Sequence, residues 1–417
     1  MGTVVELEST RAAGSKPRGR RRQSKTALVL GGGGFTGAVY EIGALRALDL
    51  LSVNRSVNQF DVYVGTSAGA LVAALTANGV TPEQMMRVVN NQVPTPFRDI
   101  NMDNLLRPNY REFVARGIRL PLHLVGVARN LGRSLGAFSM VDVAIALAEA
   151  LPSGLYSGRG LEEYVRTVLS DPGRADDFRL LEPELYLAAT DLDTCERLVL
   201  GAEGWDDVPI SLAVSASAAL PMVYMPVEVK GRELIDGGIV STTNLDIAVE
   251  AGAKFIVVVN PLVPYVNDFS KEIPTLLGTK VRRVSDMGFP KIAYQTFKLL
   301  AYQRLHEMAR QWEERYPGVD IVLIEPEPDD EMMFQTNILN YTSRLAVARH
   351  GFQSVTVKLA SDYEDLRKVA QRHGIDISAT RVRKVMRHFQ PEKEKSRAWR
   401  RILEQTTGAL LRQSAAE

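Results

Sequence analysis

Cysteine is nearly absent from this chain: Cys195 is the only one in 417 residues. A single thiol forms no internal disulfide, so a reducing, cytoplasmic compartment is the expectation. No run of eighteen or more apolar residues occurs, and no stretch therefore reads as a membrane-spanning helix. The first residues, Met1-Gly2-Thr3-Val4-Val5-Glu6, lack a positive region leading into an apolar one, which argues against a secretory signal. Excess charge is missing too. With 50 Lys plus Arg against 49 Asp plus Glu, the formal net charge is +1, and no global field points to nucleic acid. Histidine is scarce, with five in all: His123, His306, His350, His373 and His388.

What is present is an ordinary globular composition, 45% hydrophobic and 24% charged, with length for one large domain plus an extension, or for two domains. Residues 1–24 carry Gly, Ser, Pro and a basic run (Lys16, Arg18, Arg20, Arg21, Arg22) without apolar period, and read as a disordered basic tail. Structure starts at Thr26-Ala27-Leu28-Val29-Leu30, a buried-strand pattern. Four glycines follow, then a helix with Val39, Ile42, Leu45 and Leu48 on one face. Asp61-Val62-Tyr63-Val64 is a second strand, followed by a tight turn and a small-residue helix. Strand, turn, helix, twice over, is the pattern of a parallel sheet with crossover helices. Further strands are expected at 185–189, 227–229, 254–259 and 321–325, and one long helix over 291–315. The segment 82–150 reads as mostly helical, broken by Pro94, Pro96, Pro108 and Pro121. From Thr342 onward the chain is charged and helical. The expected division is a core unit over 25–265 and a mainly helical extension over 266–417.

Three motifs carry chemistry. Gly65-Thr66-Ser67-Ala68-Gly69 joins the second strand to its helix. A serine hydroxyl attacks a carbonyl only when it is exposed, rigid and close to a base, and a sharp strand-to-helix turn supplies the first two conditions. The turn also places the hydroxyl at a helix N-terminus, where developing negative charge is favoured. Gly31-Gly32-Gly33-Gly34-Phe35-Thr36-Gly37 contains Gly-x-Gly-x-x-Gly as Gly32, Gly34 and Gly37. A dinucleotide site would want an acidic residue at the end of the second strand, and that strand runs into Gly65 instead. The better reading is an oxyanion hole, with bare backbone N–H groups of consecutive glycines aimed beside Ser67. Asp236-Gly237-Gly238 is a hairpin turn if taken alone, and gains meaning as the source of a carboxylate.

Ser67 needs a base, and none of the five histidines sits at the end of a core strand. A triad would require Asp236 with His306 or His350, and His306 falls inside a long amphipathic helix. A Ser67–Asp236 dyad, with the carboxylate accepting the serine proton directly, fits better.

A glycine loop, a Gly-x-Ser-x-Gly turn and Asp-Gly-Gly, in that order, resemble the patatin-like phospholipase family. The resemblance continues between them, in 41–48, 154–158, 188–194 and 216–221, and covers about residues 26 to 262. It implies a three-layer α/β/α fold with a mostly parallel central sheet. It also implies Ser67 as nucleophile, Asp236 as base, an oxyanion hole from Gly32, Gly33 and Gly34 with Gly37 closing the loop, and Gly65, Gly69, Gly237 and Gly238 as motif glycines. It further implies acyl esters of lipids as substrates and a ping-pong mechanism with no metal or cofactor. Family members usually carry Arg or Lys just before the last glycine of the loop, where this chain has Thr36. Acyl transfer by the same dyad, and non-catalytic lipid binding on the same fold, are the alternative readings. Peripheral membrane contact is one reading of 119–129, apolar with Arg119 and Arg129 at its ends; a core segment is the other.

Overall fold

The computed structural model describes residues 24–90, 106–110, 112–115, 151–270, 272–274, 280–335 and 343–387. Its first strand, β1 (Thr26–Leu30), passes through the glycine loop into α1 (Gly34–Leu51). β2 (Val62–Thr66) turns at once into α2 (Ala68–Ala77), and α3 (Pro82–Asn90) follows. β3 (Gly154–Tyr156) and α4 (Arg159–Leu169) lead to β4 (Glu184–Asp191) and β5 (Arg197–Leu200). Next come α5 (Ile210–Ser217), β6 (Met222–Tyr224), β7 (Val227–Val229) and β8 (Arg232–Asp236), then α6 (Leu245–Glu250) and β9 (Phe255–Val259). Beyond these lie the two-residue pair β10 (Ile273–Pro274) and β11 (Lys280–Val281), α7 (Phe289–Ala309), α8 (Trp312–Arg315) and β12 (Asp320–Ile324). Short α9 (Glu331–Gln335) and helices α10 (Arg344–Ser361), α11 (Tyr363–Arg372) and α12 (Ala379–Met386) complete the described chain.

Five strands run parallel in the order β12-β9-β1-β2-β4. The apolar runs of the three central strands β9, β1 and β2 are buried on both faces, as such sheets require. Leu28 and Leu30 of β1 and Val257 and Val259 of β9 face one apolar cluster, while Ala27, Val29, Ile256 and Val258 face the other. α1, α2, α4, α5 and α10 cover the first face; α6 and the end of α7, through Leu305, cover the second. The result is the expected three-layer α/β/α arrangement with helices after it.

One detail of the sheet decides where the motifs meet. Ala188 of β4 pairs with Thr66 of β2 and with Val199 of β5, and Ala189 pairs with Leu198 of β5 and with Asp236 of β8. A strand has two edges, so β5 holds one, and β2 and β8 share the other. β2 runs parallel to β4, β8 antiparallel, and their C-terminal ends abut.

The stretch expected as one helix over 291–315 is two, with the break at Arg310 and Gln311. Residues beyond 265 supply the edge strand β12 and helix α10, which lies against α1. A Cβ on Gly43 would stand 2.4 Å from the Ala348 carbonyl oxygen, and one on Gly351 2.6 Å from that of Tyr40. The two helix backbones touch through these glycines. The segment 119–129 and nearly all of the basic tail lie outside the described residues, as do His123 and His388.

Candidate active site

Ser67 closes β2 and caps α2 with φ 56° and ψ −123°. A left-handed φ on a residue with a side chain costs about 1–3 kcal/mol and persists only where its surroundings impose it. Here they do. A Cβ on Gly65 would stand 2.6 Å from Ala70 Cα, and one on Gly69 2.4 Å from the Leu30 carbonyl oxygen. The flanking glycines let strand, turn and β1 close on one another, and the serine takes the strain.

The contact across the strand ends is short. Ser67 Oγ donates to Asp236 Oδ2 at 2.5 Å, and the Gly238 N–H donates to Asp236 Oδ1 at 2.7 Å. The backbone of Asp236 is pinned as well: its N–H donates to Ala219 O (3.0 Å), and its carbonyl accepts from Thr190 Oγ1 (3.2 Å). Gly237 passes so close to Ala188 O that a Cβ would stand 2.2 Å away. Asp236 is 2% exposed and Ser67 9%, so the pair is nearly closed off from solvent. Burial pushes the Asp236 carboxyl up to about 6, against the opposing pull of the Ser67 and Gly238 hydrogen bonds.

The glycine loop runs alongside, with a Cβ on Gly32 only 3.3 Å from that of Ser67. Its N–H groups divide. Gly31 donates to Val259 O (2.9 Å) and Gly32 to Thr242 O (3.0 Å). Gly37 donates to Gly33 O (3.0 Å) as part of α1. Among the described residues nothing accepts from the N–H of Gly33 or Gly34, which open α1. The Gly32 N–H, expected to face an oxyanion, instead ties the loop to the segment before α6. Thr36, just before the last glycine of the loop, is buried, with its hydroxyl 3.5 Å from Gly33 O.

Three supporting residues had no assigned role in the sequence. The Ser217 hydroxyl donates to Ala188 O (2.6 Å) and accepts the Ser67 N–H (3.0 Å), locking the elbow to β4. The Asn244 side chain donates to Thr66 Oγ1 (2.9 Å) and Ser241 O (2.6 Å), bracing the end of β2. Glu41 of α1 is fully buried, and burial pushes its carboxyl well above the usual range. The histidines are engaged elsewhere: His306 with Glu325 (2.8 Å), His350 with Asp330 and His373 with Asp320 (2.7 Å). None of these three reaches Ser67 or Asp236. Among the described residues no group of three or more His, Cys, Asp or Glu could hold a metal ion, and no helix is long and apolar enough to cross a membrane.

A three-layer α/β/α sheet with a strained serine elbow, a hydrogen-bonded aspartate and a glycine loop defines a class. The class is shared: a family model described as patatin-like phospholipase matches residues 28–249, more than half of the chain, and the chain belongs to that family. A probable lipid hydrolase, 463L, of Invertebrate iridescent virus 6 is 25% identical over 223 residues, 54% of this chain and 63% of the viral protein. The chain thus spans less than two thirds of that relative's length. Among solved structures, VipD from Legionella pneumophila is 14% identical, covering 81% of this chain and 67% of its own, with a TM-score of 0.35. Human GIVD cytosolic phospholipase A2, in complex with methyl gamma-linolenyl fluorophosphonate, is 11% identical, covering 84% and 59%, with a TM-score of 0.33. At such TM-scores these overlaps add nothing to the family assignment, which rests on residues 28–249.

Proposed function

We propose that the chain is a serine-dependent lipid acyl-ester hydrolase, of phospholipase A or lysophospholipase type, with Ser67 as nucleophile and Asp236 as base. The observation that carries this reading is the 2.5 Å contact between Ser67 Oγ and Asp236 Oδ2 at a strained elbow that no described histidine reaches. As Ser67 Oγ attacks the ester carbonyl, its proton passes to Asp236. The oxyanion faces the N–H groups of Gly33 and Gly34, at the positive end of α1. On collapse the alcohol takes the proton from Asp236 and leaves, with the acyl group on Ser67. Water then attacks that ester, giving its proton to Asp236; the proton returns to Ser67 as the fatty acid departs. No step calls for a metal or cofactor. The residues that carry this chemistry all lie within 25–265, in a sheet that the later part of the chain completes with β12, and the substrate is reached by peripheral contact with a lipid surface.

The test is hydrolysis of p-nitrophenyl esters and phospholipids by wild type, Ser67→Ala and Asp236→Asn, together with fluorophosphonate labelling. Ser67→Ala brings turnover to background and abolishes labelling, and Asp236→Asn lowers kcat by about 10²–10⁴-fold. Undiminished turnover in Ser67→Ala would refute the reading, and so would a folded wild type inert to both esters and probe.

A further inference from the structure

Two carboxyls are buried at the candidate site, and the chemistry above uses one of them. Asp236 has two donors, Ser67 Oγ and the Gly238 N–H. Glu41 of α1 is 0% exposed, and among the described residues neither of its carboxyl oxygens has a hydrogen-bond partner. It lies one helical turn beyond Gly37, on the same face of α1. A Cβ on Gly37 would stand 3.1 Å from Pro261 Cγ and 3.8 Å from the Gly32 carbonyl carbon, so this face lies against the glycine loop. Side chains on a helix lean toward its N-terminus, which carries the Glu41 carboxyl back toward Gly31. Burial pushes that carboxyl well above the usual range, against the opposing pull of the Gly31 N–H.

A buried acid with unpartnered oxygens weakens a fold. The ionised form is the costlier one, so the group keeps its proton. Methionine would fill a similar space and leave no polar atom unpaired. Such a conflict between side chain and fold is expected where a site needs the group. The loop supplies the need. Its Gly33 and Gly34 N–H groups serve an oxyanion only while they stay aimed at it, and consecutive glycines form the least stiff of backbones. Gly31 and Gly32 are tied on the strand side, to Val259 O and Thr242 O. On the helix side, the polar group nearest that end of the loop is Glu41.

We propose that Glu41 is a positioning residue for ester cleavage: an uncharged acid packed between α1 and the glycine loop, it holds the Gly33 and Gly34 N–H groups on the oxyanion. The proposal rests on the reading of Ser67 as nucleophile and of this loop as the oxyanion hole. The proton on Glu41 belongs to the role, because a carboxylate at this place would repel the oxyanion. The same N–H groups serve acylation and deacylation. A misaligned loop therefore slows both steps and leaves KM unchanged.

The experiment measures kcat and KM for p-nitrophenyl butyrate, below the melting temperature of every protein used. Wild type is compared with Glu41→Gln, Glu41→Met, Glu41→Asp and, as a control, Tyr40→Phe. Tyr40 is the adjacent buried residue of α1, on the side packed against Gly351 of α10. Glu41→Gln has the same reach, no charge, and both a donor and an acceptor, and keeps kcat within about threefold of wild type. Glu41→Met lowers kcat about ten- to hundredfold at unchanged KM, and Tyr40→Phe leaves both constants unchanged. Full kcat in Glu41→Met would overturn the proposal while leaving Ser67 in its role. So would a Glu41→Gln or a Tyr40→Phe that falls as far as Glu41→Met. Should Glu41→Met fail to fold, Glu41→Asp decides. Its acid is drawn back by one methylene, so kcat falls at unchanged KM; an undiminished kcat overturns the proposal. A folded wild type inert to the ester and to a fluorophosphonate would remove the reading of Ser67 itself, and the proposal with it.

Discussion

At the scale of the residue, the site is a problem of proton affinity. A carboxylate of ordinary acidity is a poor base for a serine hydroxyl; burial moves Asp236 toward the working range by disfavouring its charged form. The direction of the pH dependence follows. In the proposed dyad, the carboxyl below about 6 holds its own proton and cannot take one from Ser67, so kcat/KM is expected to rise with pH through an inflection near 6 and to level above it. A pH–rate profile checks this, and a profile flat from pH 5 to 8 would contradict it. Ser67 and Asp236 were legible in the sequence because their neighbouring glycines are demanded by backbone approach, which leaves a visible spacing. Ser217, Asn244 and Glu41 were not. Ser217 and Asn244 act through partners far along the chain, such as Ser67, 150 positions from Ser217, and Glu41 shows itself only by its burial; no local pattern announces either. The Gly32 N–H belongs with them, because its acceptor Thr242 O is a carbonyl that any residue would supply.

At the scale of the element, the strands were the clearest part of the sequence, since burial on both faces leaves unbroken apolar runs such as Phe255–Val259. The long-helix expectation over 291–315 went too far because nothing in composition marks the break at Arg310 and Gln311. The role of α10 was hidden altogether. It reads as a charged helix, yet Gly351 brings it into backbone contact with α1, the helix that begins in the glycine loop. Gly351→Val should therefore separate the two helices and destabilise the fold by about 1–3 kcal/mol, measured by urea denaturation. A variant as stable as wild type would show that the contact bears no strain.

At the scale of the whole molecule, the C-terminal part is built into the same sheet as the motifs. β12 pairs with β9 from Asp320↔Phe255 to Ile324↔Val259, and α10 covers α1. A fragment of residues 24–265 would leave β9 as a bare apolar edge and uncover that face of α1. It should yield no cooperative thermal transition and should aggregate. Circular dichroism and size-exclusion chromatography measure this, and a monomeric fragment with a sharp melt would contradict it.

The abutting ends of β2 and β8 have a consequence for how such a chain can change over time. Ser67 and Asp236 are 169 positions apart, yet both are referenced to adjacent residues of one strand, Ala188 and Ala189. Whole helices can be inserted, lengthened or exchanged in the intervening chain while the gap between the two side chains stays the same. Loss of a single residue inside β8 would do what no such insertion does, because it turns Asp236 to the other side of the sheet.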